Sequence, residues 1–178
     1  MAGKVVYQNV HGIEECFIIA DDEPGNSSAS RRPHKNVPAL ASTVQKTKQW
    51  IKELMQELQW DDAQKTYHGL SVVLHALRDR LTVHETADLA SELPMLLRGM
   101  FYEGWQPDQV PVKDRSKQAF LSHVFEAFRH DPVVDAERLT HAVLKVLSVH
   151  VSAGEMDDIR AIIPDSLHDL FPKRGVHR

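Results

Sequence analysis

The chain has 178 residues, 42% apolar and 26% charged, with a net charge of -4. That is long enough to bury a core without metal or disulfide support, and the single cysteine, Cys16, excludes an intrachain disulfide and fits a reducing compartment. The acidic balance argues against a nucleic-acid binder, since Lys and Arg are scattered and their densest groups are only Arg31-Arg32 with Lys35 and Lys173-Arg174. No stretch approaches the roughly 20 apolar residues of a membrane span, and residues 1–4 are not followed by a signal-peptide core. A cytoplasmic protein without a membrane span is therefore expected.

Residues 1–40 differ in character from the rest and are read as an N-terminal arm and linker. Lys4 to Val10 is rich in Val and Tyr, and Cys16-Phe17-Ile18-Ile19 is a short apolar run, so both have β character, with His11-Gly12 placed for a turn between them. Glu23 to Pro33 has the Pro, Gly and Ser content of a linker. An isolated hairpin is marginal in water. The arm is then either a disordered tail or an element that docks on a partner, on the helical part or on a second copy.

From Thr43 the period becomes helical. Trp50, Ile51, Leu54, Met55 and Leu58 recur at steps of three and four, the stripe of an amphipathic helix. Asp61 or Asp62 can cap the next helix, whose face is Tyr67, Leu70, Val73, Leu74, Leu77 and Leu81. Thr82-Val83-His84-Glu85 has the form of a capping box, in which the hydroxyl accepts from a backbone amide and the glutamate reaches back to the threonine amide. The helix it opens carries Ala87, Leu89, Ala90 and Leu93. Pro94 pushes its predecessor out of the helical region and suits the start of a new helix, which predicts a separate short helix over 94–101.

The second half repeats this pattern. At an offset of 70, Thr82 and Glu85 fall on Ser152 and Glu155, Leu93-Pro94 on Ile163-Pro164, and Leu97, Met100 and Phe101 on Leu167, Leu170 and Phe171. The first helix matches at the same offset, with Ile51, Leu54, Met55 and Leu58 on Leu121, Val124, Phe125 and Phe128. Between these stretches the offset is 73, so Asp62-Ala63 meets Asp135-Ala136 and His68 meets His141. A repeat that keeps a cap, a proline and the apolar register predicts an all-α fold, a duplicated helical unit packed as a compact bundle behind a short N-terminal extension of β character. The helical domain spans 41–178, with repeats at 43–105 and 116–172, joined where Gly104 and Pro107 end the first unit.

Leu77-Arg78-Asp79-Arg80-Leu81, Ala87-Asp88-Leu89-Ala90, Leu93-Pro94-Met95-Leu96-Leu97-Arg98-Gly99 and Tyr102-Glu103-Gly104-Trp105, together with Gly154 to Arg160, Ile163-Pro164 and Leu170-Phe171-Pro172, carry a resemblance. Over roughly residues 43–172 the chain resembles the bacterial family called Domain of Unknown Function 2267. The resemblance implies a helical bacterial protein and brings no activity, cofactor or catalytic residue with it.

Eleven histidines invite a metal site, and the best constellation is His123, Glu126 and His130, which share one narrow sector if a single helix carries them all. With Leu121, Val124, Phe125 and Phe128 on the opposite sector, a solvated polar face is the plainer reading. His68 with His75 is a second pair, better suited to packing or the helix surface than to ligation. His84-Glu85-Thr86-Ala87-Asp88 starts like a zinc-protease helix but ends in Asp, no Glu-x-x-His occurs, and Asp165-x-x-His168 lies where a helix start wants an acid anyway. Phosphate-loop and dinucleotide glycine patterns are missing. Cys16 has no partner that would make it a nucleophile. Trp50 reads as core, and Trp60 and Trp105 as plugs at helix ends.

These readings point to a non-enzymatic helical interaction or adaptor module with no cofactor, partnered by a protein or by itself as a homo-oligomer and not by nucleic acid. The alternative is a metal- or small-ligand-binding sensor built on His123, Glu126 and His130.

Overall fold

A computed structural model of the chain describes residues 4–10, 13–19 and 37–172, the first two stretches by their backbone alone. The linker from Glu23 to Pro33, the His11-Gly12 turn, the Cys16 thiol and the Lys173-Arg174 pair lie outside the described residues. The chain divides into two units, residues 1–35 and 36–178. In the first, the backbones of β1 (Lys4–Val10) and β2 (Ile13–Ile19) pair antiparallel, Lys4 opposite Ile19 and Val10 opposite Ile13.

The second unit is an all-α compact bundle. Its described residues form α1 (Pro38–Leu58), α2 (Ala63–Arg78), α3 (Val83–Glu92), α4 (Met95–Tyr102), α5 (Lys117–Ala127), α6 (Ala136–His150) and α7 (Ala153–Ile162), with short 3-10 helices at Pro107–Gln109 and Asp165–Leu170. α1 starts five residues before Thr43, where the apolar period first becomes legible. Pro38 sits at its first turn, where a missing amide hydrogen costs nothing. Trp50, Leu54 and Leu58 are buried, while Ile51 and Met55 are only half-buried. Asp62 caps α2 by accepting from the Lys65 amide at 2.9 Å, and Asp135 caps α6 by accepting from Glu137 and Arg138.

α2 and α6 form the centre. α2 buries Leu70, Val72, Val73, Leu74, Ala76 and Leu77, and α6 buries Leu139, Ala142, Val143, Leu144, Val146 and Leu147, so each is apolar around much of its circumference, as a central helix must be. α1, α4 and α5 pack on α2, and α1 and α5 also pack on α6. The two central helices come close at Gly69, where an added Cβ would lie 3.0 Å from Leu139 Cδ1. Leu139 is itself fully buried and has nowhere to go.

Pro94 ends α3 and opens α4 with an extended backbone (φ -54°, ψ 147°), so residues 89–101 do not run as one straight helix. Pro164 has nearly the same backbone (φ -57°, ψ 145°) and opens the 3-10 helix at Asp165–Leu170. Gly104 takes a left-handed conformation (φ 66°) just past α4, a geometry that suits a residue without a side chain.

α5 departs from the expected stripe. Phe120, Val124 and Phe128 are buried, whereas Phe125 is 59% exposed. Of the expected set 121, 124, 125, 128, Val124 and Phe128 are buried and Leu121 packs partly buried against the core; Phe125 alone turns outward, and Phe120 is buried in addition.

The close crossing at Gly69 predicts that Gly69→Val will destabilise the bundle by about 1–3 kcal/mol, the usual cost of overpacking a core. Urea melts followed by circular dichroism measure it; an unchanged midpoint would mean that α2 and α6 are not tightly packed there.

Candidate functional site

The sequence directs attention to His123, Glu126 and His130. α5 ends at Ala127, so His130 lies in the turn that follows and not on the helix. That is a correction to the single-helix geometry on which the trio rested. Its physical reason is the burial of Phe128, which takes a non-helical backbone (φ -114°, ψ 20°) to reach the core. Arg129 occupies the space a metal would need. Its guanidinium donates to the His130 Nε2 at 2.9 Å and to Glu126 Oε1 at 3.0 Å. The His123 imidazole, partly enclosed and next to the Arg80 charge, is held below the ordinary histidine value. Among the described residues no three His, Cys, Asp or Glu side chains gather so that they could hold a metal ion.

Three of the other histidines take backbone carbonyls at helix ends, while His84 and His141 face the Asp88 and Glu137 carboxylates at 3.6 and 4.0 Å. His75 Nε2 lies 2.6 Å from the Met100 carbonyl, His68 Nε2 3.5 Å from that of Ala127, and His168 Nε2 2.9 Å from that of Arg160. Each ring must carry its proton on Nε2 to donate there. Arginines do the same. Arg78, 4% exposed, donates to the carbonyls of Phe101 and Glu103 and pairs with Asp79 at 2.7 Å. Arg98 donates to Ala90, Ser91 and Leu93, Arg138 to Leu58, and Arg115 to Ile162. Arg80, 5% exposed, lies over the Phe120 ring at 4.8 Å; burial pulls its guanidinium pKa down against the Asp79 and Asp114 carboxylates.

Two polar arrangements were not legible. At the first, Trp50 stacks on His150 with ring centroids 4.7 Å apart. His150 Nε2 lies 2.5 Å from Glu53, and Gln49 donates to the other Glu53 oxygen. Burial pushes the Glu53 carboxyl up, but the hydrogen bonds from His150 and Gln49 outweigh it and leave the group below its ordinary value. Gln49, Trp50 and His150 line a cleft of 570 Å³ between α1, the α3–α4 turn and the end of α6, together with Lys46 and Arg98. Only the 97-residue return of α6 brings His150 to Glu53, so no local spacing announced it.

The second arrangement is where α3 meets α7. The Thr82 hydroxyl accepts from the Glu85 amide at 3.4 Å, which makes the cap, but the Glu85 carboxylate meets that hydroxyl and not the Thr82 amide that a full capping box would use. Ser152 accepts from the Glu155 amide at 3.3 Å, but its own amide and hydroxyl donate to Glu92 of α3, both at 2.6 Å. Glu92 has thus taken the place that a box would give to Glu155. Glu155 is left with a buried, unpartnered Oε1. Burial, and then the charges of Asp88, Glu92, Asp158 and Glu85, push its carboxyl above the ordinary value.

The chain belongs to the family described as Uncharacterized conserved protein (DUF2267), whose model matches residues 47–170. That span covers α1 from its tenth residue to the end of the 3-10 helix at Leu170. No curated protein matches the chain. Among the described residues no helix is long and apolar enough to cross a membrane.

Because the folded-state value of Glu155 is raised, the native chain binds more protons than the unfolded one as pH rises through the unfolded value, so stability falls over that window. Glu155→Gln is expected to remove this loss. The variant should equal or exceed the natural protein in urea melts at pH 7, and the difference should shrink toward pH 4; a variant less stable at both pH values would show that the carboxylate is well compensated.

For the histidine trio, protein purified without a histidine tag is expected to show the same melting temperature with and without stoichiometric zinc. A zinc-dependent rise that disappears in the double variant His123→Ala/His130→Ala would restore a metal site there.

Proposed function

We propose that the helical unit is a non-enzymatic interaction module that pairs with a second copy of itself through the outer face of α1 and α4. The observation that carries this is the distribution of exposed apolar side chains. Nine large ones are exposed among the described residues, and five of them, Val37, Leu40, Val44, Met95 and Leu96, stand at the starts of these two helices with exposures of 38–55%. The helices touch there, since the Leu96 amide donates to the buried Thr43 hydroxyl at 3.1 Å. A scatter of single apolar residues means little, but a group of this size on adjacent elements is a feature of interaction surfaces.

The chemistry of the face favours a second copy as occupant. Leu40 and Val44 lie one turn apart beside a hollow of 430 Å³ lined by Thr47, Tyr67, Leu96, Gly99, Tyr102 and Glu103. Gly99 leaves that hollow open, as a Cβ there would meet nothing within 4 Å. A ridge next to a hollow is the arrangement a twofold contact uses, each copy's ridge entering the other's hollow. The charges match as well. Lys48 of α1 and Glu103 at the rim make no ion pair among the described residues, and twofold packing can join each to its opposite in the other copy.

The same reading includes a duplication, one helical unit at 43–105 and again at 116–172. Several equivalences support it at the offset of 70. Trp50, Leu54 and Leu58 correspond to Phe120, Val124 and Phe128, and all six are buried. Thr82 and Ser152 accept from the amides three residues on. Arg98 reaches the Ala90 carbonyl as His168 reaches that of Arg160.

The full chain is expected to be a dimer by light scattering at micromolar concentration, and the double variant Leu40→Glu/Leu96→Glu a monomer with unchanged helical circular dichroism. A monomeric natural protein would end this reading. A variant that keeps its mass would move association elsewhere, the N-terminal strands being the next place to look.

A further inference from the structure

The cleft between α1, the α3–α4 turn and the end of α6 differs from the self-association face in what it offers chemically, and Met95 borders both. Its 570 Å³ falls within the range of small-molecule sites. One wall is a single stripe of α1, where Ser42, Lys46, Gln49 and Trp50 follow at helical steps. The opposite wall carries Arg98, and His150 closes one end against Trp50.

Lys46 shares its lack of an ion pair with Lys48, Lys52 and Lys113 among the described residues, and what sets the cleft apart is that two cations, Lys46 and Arg98, line it together. Lys65, Lys117, Lys145, Arg78, Arg129 and Arg160 each have a carboxylate partner within 3.4 Å. Lys46 has no ion pair or hydrogen bond among the described residues. Arg98 is held in place by its Nε and Nη2, which donate to the three carbonyls at the end of α3, and its Nη1 has no protein partner. The one carboxylate that lines the cleft, Glu92, has both oxygens taken by Ser152. The Glu53 carboxylate is likewise held by His150 and Gln49. Ser152 is neutral, so Glu92 keeps its charge, and the cleft presents one anchored and one mobile cation against that single carboxylate.

We propose that this cleft binds a small organic oxyanion, its carboxylate or phosphate group held by Lys46 and Arg98 and its remainder lying along α1 toward Gln49, Trp50 and His150. Arg98 supplies a planar donor already oriented by its other bonds, and Lys46 closes on the anion from the flexible side. The half-buried His150 ring, stacked on the buried Trp50, borders the rest of the molecule. No covalent step is involved.

The test titrates the full chain with inorganic phosphate and with citrate at constant ionic strength, chloride being the control, by calorimetry. Saturable binding of at least one probe is expected, and the probe that binds tells phosphate from carboxylate. Lys46→Gln should weaken it by about tenfold or more, the loss of one charge-assisted hydrogen bond. Lys46→Arg should recover most of the affinity, and Lys52→Gln, on the same helix but outside the cleft, should change nothing. Lys46 is exposed and makes no bond in the fold, so its variants are not expected to unfold the chain. The proposal is overturned if neither probe saturates above the chloride control, if Lys46→Gln binds like the natural protein, or if Lys52→Gln weakens binding equally.

Discussion

Short helices leave a large share of their backbone unpaired, because the last four carbonyls of each have no partner within the helix. In this bundle, whose α3, α4 and α7 have 8 to 10 residues, that constraint governs the placement of many long polar side chains. Arg138 covers the end of α1, Arg98 that of α3, Arg78 and His75 that of α4, His68 that of α5, and Arg115 and His168 that of α7. Each cation or imidazole also meets the negative end of a helix dipole, which adds to the hydrogen bond. These donors come from other helices or, for Arg115, from the loop before α5, so the bonds knit the bundle together as well as finishing its elements. Arg78 and Arg80 are buried in this role, within the run Leu77-Arg78-Asp79-Arg80-Leu81.

The same constraint explains why the histidines do not form a metal centre among the described residues. An imidazole that donates to a carbonyl is oriented by that carbonyl, and its position follows the helix end it serves. His68, His75 and His168 are tied to three different ends. His84 and His141 face carboxylates on their own helices, and His150 is stacked on Trp50 and paired with Glu53 beside the cleft lined by Lys46 and Arg98. Polar groups in this protein thus divide into those that complete backbone hydrogen bonding and a smaller set that faces open space.

Much of the helical architecture was legible from the residues. The stripe of α1, the Asp62 cap, the Thr82 and Ser152 caps and the break at Pro94 all depend on neighbours within four positions, and local physics is enough to place them. The candidate site was much less so. Phe125 and Phe120 are equally apolar, and only the packing of α5 against α2 and α6 decides that Phe120 is buried while Phe125 stands in water. Glu155 sits where a capping box wants it, yet Glu92, 60 residues away from Ser152, wins the contact.

What the sequence determined by itself is therefore the set of helices, their caps and breaks, and membership of a helical family over most of the chain, because period, cap chemistry and proline geometry act over one or two turns. The tertiary structure decided which side chains share a site. Lys46, Arg98 and His150 come from three separate helices, and neither their spacing nor their composition marks them as a group. Side chains that far apart in the chain meet only when the helices have packed. Whether a charge finds a partner is then a property of the assembled surface, not of any local run of residues.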